Sequence, residues 1–379
     1  MDLLDLRKEI DRIDEQLIPL LIERMGISEK VAQYKFDRGL PVLNPQREQE
    51  ILDNVGEKCG EHGEAIKTVF AATMDASRAL QHKIIGGGKK LRDEITESLG
   101  DGKITADGEC VACQGVEGAY SGLTASKLFP GSPVRFYRQF EDVFEAVYKG
   151  QAKFGIIPVE NSTAGSVHES YDLIMKYRFY VVGAYDLKIE HCLCTKADTK
   201  YENIKEIYSH PQGLAQCNNF IKNFDFTGVN YTNTAAAAKY VSECARDDVA
   251  AICSESAAKK YGLKILRRNV QNNNSNRTRF IVISKKLIIS DDADKISLIF
   301  TCAHKTGSLY RVLGRFSMAG LSLTKLESRP IENDEEFNYY FYVDVLGNVR
   351  EESTIDLICA LSDELPEFEF LGNFKEINS

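Results

Sequence analysis

No stretch of about 18 consecutive apolar residues occurs in the sequence, so no membrane-spanning helix is expected. The opening MDLLDLRKEIDRIDEQ is charged from its second residue, and neither a secretory signal nor a transit peptide is expected. Positive charge is in deficit: 47 Lys and Arg against 56 Asp and Glu leave a formal net charge of −9. That balance argues against general binding to nucleic acid or to an anionic membrane. An anionic ligand must therefore meet cations or N–H groups placed for it locally. Histidines number only six, and the ten cysteines form no metal-binding pattern. Cys110 and Cys113 make one C-x-x-C, but no second pair stands at zinc-ribbon distance. Reduced, buried thiols in a cytoplasmic protein are expected, with no metal and no cofactor.

What is present is an ordinary globular balance, 43% hydrophobic and 27% charged, over 379 residues. That length implies two or three domains. Residues 1–88 carry helical periodicity. Leu3, Leu6, Ile10, Ile13, Leu17, Leu20, Ile27, Val31 and Tyr34 recur in steps of three and four, apart from one gap, as the seam of one long helix. Pro19 inside it predicts a kink, and Pro41 and Pro45 end it and begin a second helix. A third runs from about Ala65 to Ile85. Such a segment has no compact core of its own, so an intertwined dimer is expected. Residues 89–108 read as a linker with a short helix. Residues 109–287 alternate strand and helix, which predicts a two-lobed α/β domain with largely parallel sheet. Residues 294–376 follow the order strand, helix, strand, strand, helix, strand of a ferredoxin-like α+β domain.

Arg24 stands where the helical seam calls for an apolar residue. Lys35, eleven residues on, returns to the same face about 16 Å away. Two such cations can close on a small anion, and a bound anion offsets the cost of burying Arg24. Arg7 is too far for one small molecule to reach both, but a second protomer's helix can bring its own Arg7 across. Arg47 and Glu48 open the second helix, and Ser77 and Gln81 share a face of the third. The pattern LRKEIDRIDEQLIPLLIERM, VAQYK and LNPQREQEIL resembles the helical type of chorismate mutase over about the first 85 residues. The resemblance implies an all-helical dimer that rearranges chorismate to prephenate. Arg7 of the partner and Arg24 then hold carboxylates, Lys35 and Gln81 meet the ether oxygen, and Glu48 holds the hydroxyl. Arg47 and Ser77 support them. Asn44 stands where the family usually has Asp.

In the α/β region, four segments put small polar residues before a helix: Gly118–Ser121, Glu160–Gly165, Ser209–Gln212 and Thr232–Thr234. Each alone is an ordinary cap, but together they describe a cleft lined by N–H groups suited to carboxylates. Thr278 lies between Arg277 and Arg279 just before a hydrophobic strand. A hydroxyl there can donate a proton, and the arginines suit an anion. VACQGVEGAYS, IIPVENSTAGSV, SHPQGLAQC, TNTAAAA and NRTRFIVI resemble prephenate dehydratase, in that family's order. The resemblance implies two lobes related to periplasmic binding proteins and loss of carbon dioxide and water from prephenate. Thr278 is then the residue that helps the ring hydroxyl leave. Asn161, Ser162, Ser209, Gln216, Arg279 and Phe280 bind or orient substrate. Gly213 replaces the family's usual Ala. Neither nearby histidine is needed as a base: His210 is expected to make loop hydrogen bonds, and His191 to sit in a strand crossing between the lobes.

The tail HKTGSLYRVLGRFSMAGLSLTKLESRP is similar to a phenylalanine-responsive ACT domain. That likeness implies an effector site at Gly307, Ser308 and Leu309 with Glu327, Ser328, Arg329 and Pro330, at the interface of paired domains. The three likenesses together imply a bifunctional chorismate mutase/prephenate dehydratase, a homodimer or dimer of dimers, controlled by phenylalanine. Two alternatives stand beside it. One is a dehydratase whose helical segment serves only dimerisation; the other is a non-catalytic sensor of small anions.

Overall fold

The computed structural model describes residues 2–100, 103–331 and 338–378. The chain forms two units, and neither is contiguous. Met1–Glu97 joins Lys295–Phe370 in one, and Ser98–Asp294 joins Leu371–Ser379 in the other. The first unit thus takes in residues of both the helical segment and the tail.

In the first unit, α1 (Leu3–Phe36) starts at a capping box in which Asp2 accepts from the Asp5 N–H. It passes through Pro19 as one helix. Its seam is not covered by the rest of this chain: Leu6, Ile10, Ile13, Leu17 and Leu20 are each 46–60% exposed. Asn44 caps α2 (Pro45–Lys58), with Pro45 in the first turn, where its missing N–H costs nothing. Next, α3 (Gly63–Ile85) stops at Gly86, whose φ of 72° is the left-handed conformation that ends helices. Residues 89–108 contain the short helix expected there. They begin with α4 (Lys89–Glu97), whose Ile95 is fully buried and whose Arg92 pairs with Asp356 of the tail.

The second unit holds both lobes. The first lobe contains β1 (Val111–Gln114), α5 (Tyr120–Leu128), β2 (Val134–Tyr137), α6 (Phe140–Tyr148), β3 (Phe154–Asn161), β4 (Gly165–Ser166), α7 (His168–Tyr177) and β5 (Tyr180–Lys188). The second contains β6 (Cys192–Thr195), β7 (Glu206–Ser209), α8 (Pro211–Gln216), α9 (Asn218–Asn223), β8 (Thr227–Asn230), α10 (Thr234–Glu243), β9 (Val249–Cys253), α11 (Glu255–Lys260) and β10 (Lys264–Arg267). The chain then returns to the first lobe through β11 (Arg277–Ser284), which inserts between β3 and β5. Both sheets are mixed rather than largely parallel. β11 runs antiparallel to both neighbours, and β6 antiparallel to β9 and β10. A strand that re-enters a sheet from the other lobe arrives at the opposite end, so it pairs antiparallel.

The tail contains β12 (Lys295–Phe300), α12 (Ser308–Met318), β13 (Ser322–Pro330), β14 (Tyr339–Leu346), α13 (Glu352–Glu364) and β15 (Phe368–Phe374). Its sheet order β13-β14-β12-β15 is the ferredoxin-like arrangement. A last strand, β16 (Glu376–Asn378), leaves the tail and pairs parallel with β5 in the first-lobe sheet.

Candidate active sites

Arg24 and Ser77 meet where α1 packs on α3. The Arg24 guanidinium donates to Ser77 Oγ at 2.6 Å and to the Thr73 carbonyl at 3.4 Å. One turn further along α3, Gln81 is 7% exposed and its Oε1 has no partner. A buried acceptor of this kind calls for a donor. Lys35 Nζ donates to the Val42 carbonyl. Burial lowers the Lys35 pKa, Glu48 opposes that shift, and Arg78 adds to it. The structure thus gathers Arg24, Lys35, Glu48, Ser77 and Gln81 on neighbouring faces of three helices. It does not gather Asn44 or Arg47. The Asn44 oxygen accepts the Arg47 N–H as a helix cap, and the Arg47 side chain pairs with Glu50 on an exposed face. Arg7 lies exposed on α1.

Behind this group stands an ion cluster that no sequence pattern announces. Glu48 Oε1 accepts from Arg78 Nη1 at 2.8 Å, and Glu48 Oε2 from Arg311 Nη2 at 3.0 Å. Asp75 pairs with both arginines, meeting Arg311 Nη2 at 2.7 Å. On the far side, Glu364 meets His82 at 2.6 Å and Arg315 at 2.7 Å. Burial alone would push the Glu364 carboxyl up, but His82, Arg315 and Arg78 together hold it below its ordinary value. The signal in the sequence is an i, i+3 acid–base pair, Asp75 and Arg78, indistinguishable there from surface charge.

In the second unit, a cleft of about 360 Å³ is lined from both lobes. Thr278 and Phe280 point into it from β11, Asn161 from the end of β3, and Gln212 and Gln216 from α8. The Asn161 amide donates to Thr278 Oγ1 at 2.9 Å. Its oxygen accepts from the N–H groups of Thr163 and Ala164 and from the amides of Gln212 and Gln216. Among the described residues, no Lys or Arg lines the cleft. Helix starts do so instead. Residues of the first turns of α5 and α10 face it, and α5 has no capping side chain for its free N–H groups. Asn233 caps α10 by accepting the Ala236 N–H at 2.7 Å.

Strand alternation corrects one expectation directly. Thr278 and Phe280 share the cleft face of β11, so Arg277 and Arg279 face away. Arg277 pairs with Asp186, and Arg279 with Glu376 of β16 at 2.6 Å. Ser162 and Ser209 are also displaced from the cleft lining. Ser162 Oγ accepts the Arg277 N–H, and the fully buried Ser209 donates to the Ile252 carbonyl at 2.7 Å. Both brace the strands that hold the site. His210 accepts the Gln212 N–H, the loop role expected for it. His191 sits just ahead of β6 rather than within a strand. It is 2% exposed, meets Gln216 Oε1 at 3.0 Å, and stacks edge-on against Tyr120. Burial lowers its pKa and raises that of Tyr120. Tyr120, His191, Gln216, Asn161 and Thr278 therefore form one polar chain. Nothing in the sequence around Tyr120 or His191 marks either as a member of it.

In the tail, a cavity of about 430 Å³ opens beside the start of α12. Ser308 and Leu309 line it, as do Tyr339 and Phe341 of β14. Gly307 precedes the helix at φ 81°, a conformation that favours glycine. Glu327, Ser328, Arg329 and Pro330 do not line it. They lie on the edge strand β13, where Ser328 and Pro330 are register partners of Phe341 and Tyr339. Among the described residues no helix is long and apolar enough to cross a membrane, and no cluster of three potential metal ligands occurs.

The chorismate mutase type II family pattern matches residues 6–82, and the prephenate dehydratase pattern matches residues 111–287. The bifunctional chorismate mutase/prephenate dehydratase of Enterobacter agglomerans is 32% identical over 386 residues, covering 99% of this chain and 96% of its own. The chain belongs to this bifunctional family. Other relatives match a smaller share of the chain. Arogenate dehydratase 2 of Petunia hybrida is 34% identical over 70% of this chain and 71% of its own. Among solved structures, the prephenate dehydratase of Arthrobacter aurescens in complex with L-Phe is 25% identical at a TM-score of 0.64, over 70% of this chain and 89% of its own. A structure described as a quorum quenching acylase, GqqA, is 31% identical at a TM-score of 0.65, over 70% of this chain and 98% of its own.

Proposed function

We propose that the chain catalyses two consecutive reactions in phenylalanine biosynthesis, chorismate to prephenate and prephenate to phenylpyruvate, in the cytoplasm. The observation that supports the second step best is the hydrogen bond from Asn161 to Thr278. Because the Thr278 oxygen accepts from Asn161, its own proton is directed elsewhere, toward the cleft. There it protonates the departing ring hydroxyl as general acid. The carboxylate on the same ring leaves as carbon dioxide, and its bonding electrons enter the ring as water departs. Aromatisation drives the step. Substrate carboxylates are received by N–H groups at the starts of α5 and α10, consistent with a cleft that has no cationic lining.

The first step is a rearrangement that needs no nucleophile. Arg24 binds a carboxylate, Lys35 and Gln81 meet the charge developing on the ether oxygen, and Glu48 takes the hydroxyl. For Gln81 to donate there, its amide must present nitrogen; its unpartnered Oε1 in the free protein is compatible with a flip on binding. The bare seam of α1 supports an intertwined dimer in which the partner contributes its Arg7. The tail cavity at Ser308 and Leu309 supports phenylalanine as the effector, closed by β13 across a paired tail.

One assay tests the reading. Purified protein receives chorismate alone, and prephenate and phenylpyruvate are followed together. Phenylpyruvate is expected; turnover of prephenate but not chorismate would reduce the helices to a dimer arm. Thr278→Ala is expected to lose at least about 100-fold in dehydratase turnover, the low end of general acid catalysis, with mutase turnover retained. Arogenate is offered in parallel, since relatives at 34% identity act on it by name.

A further inference from the structure

We propose that Arg311, on the first helix of the tail, is a positioning residue for the mutase reaction. The inference rests on Glu48 being the hydroxyl-binding group. Glu48 Oε1 is held by Arg78 and its Oε2 by Arg311, so the carboxylate is fixed from both sides. Only one of the two anchors belongs to the helical segment. Arg311 also grips Asp75 through both Nε and Nη2, at 3.2 and 2.7 Å. Asp75 is 4% exposed and already shares Arg78 with Glu48. Without Arg311, Glu48 and Asp75 are left to Arg78, which Glu364 also meets, in a site with little water to screen them.

The charged groups facing Glu48 are Lys35 from α1, Asp75 and Arg78 from α3, and Arg311 from α12. Glu364 of α13 lies behind Arg78, with His82 and Arg315 around it. Removing Arg311 therefore takes away the cation that holds Glu48 Oε2. The carboxylate is then no longer held in one orientation. The helix carrying Arg311 begins at the tail cavity, one turn away at Ser308. The tail therefore helps form the mutase site rather than being attached to it.

The test uses the full-length protein with chorismate as substrate. Arg311→Ala is expected to lower mutase kcat/KM about tenfold, the loss that follows when a substrate-holding group is misplaced. Arg311→Lys keeps the charge but not the fork to both carboxylates, and restores part of the rate. Dehydratase turnover of supplied prephenate reports that each variant is folded. Glu48→Gln is measured alone and combined with Arg311→Ala. If Glu48→Gln leaves mutase turnover intact, the reading of Glu48 fails and this inference fails with it. If Glu48→Gln is slow but Arg311→Ala keeps the wild-type rate, only the role of Arg311 is overturned. That role is overturned equally if Arg311→Ala costs as much in the Glu48→Gln background as alone.

Discussion

A threonine hydroxyl has one proton, and at Thr278 the neighbouring amide decides where it can go. Exchanging Thr278 for Ser keeps that proton and should retain most dehydratase activity, read as kcat on prephenate. Two histidines that line the cleft give a second residue-scale expectation. Burial lowers the pKa of both His191 and His210. In the unfolded chain they titrate near 6.5. Between that value and the lower folded one, the unfolded state binds more protons, so stability rises with pH. Their contribution is complete above about pH 6.5 and fades as the pH falls below it. Melting temperatures at about pH 7.5 and 5.5 should show this loss in the wild type and a smaller one in His191→Gln, whose amide needs no proton to stay neutral. An equal loss in both would remove His191 from the account.

Elements explain what the sequence could reveal and what it could not. The caps before α8 and α10 were legible because a cap is local: Pro211 and Asn233 do there what their side chains do in any helix start. The face of Arg279 was not legible. Its flanking position beside Thr278 invited an anion-binding role, but its partner Glu376 arrives on a strand that follows the tail. For the same reason the α1 seam was readable as periodicity, whereas the ion cluster at Glu48 was not. Its members come from α2, α3, α12 and α13. Partners so distant leave no spacing to read. The β16 strand carries its own prediction. Glu376→Ala removes the Arg279 carboxylate partner, both side chains being largely buried, and should cost about 1.5–3 kcal/mol. Denaturant titration of the dehydratase signal checks it, and an unchanged midpoint would mean that the pair is unimportant.

At the scale of the molecule, the exposed seam of α1 puts the proposed dimer to the test. Leu17→Lys places a charge in that seam and should convert a dimer into monomers by sedimentation. Mutase rate should fall at least tenfold, because the partner's Arg7 is withdrawn. A monomeric wild type with full mutase activity would refute the intertwined arrangement.

The interleaving of the two units has a further consequence, in the order of synthesis. Asp75 leaves the ribosome 236 residues before Arg311. At about 5–20 residues per second, the nascent helical segment waits roughly 10–50 s for the arginine that completes its ion cluster. Throughout that interval Glu48 and Asp75 share Arg78 alone, and the apolar face of α1 is bare. The newborn chain therefore cannot finish its first domain first: its N-terminal quarter waits for a segment made near the end of synthesis.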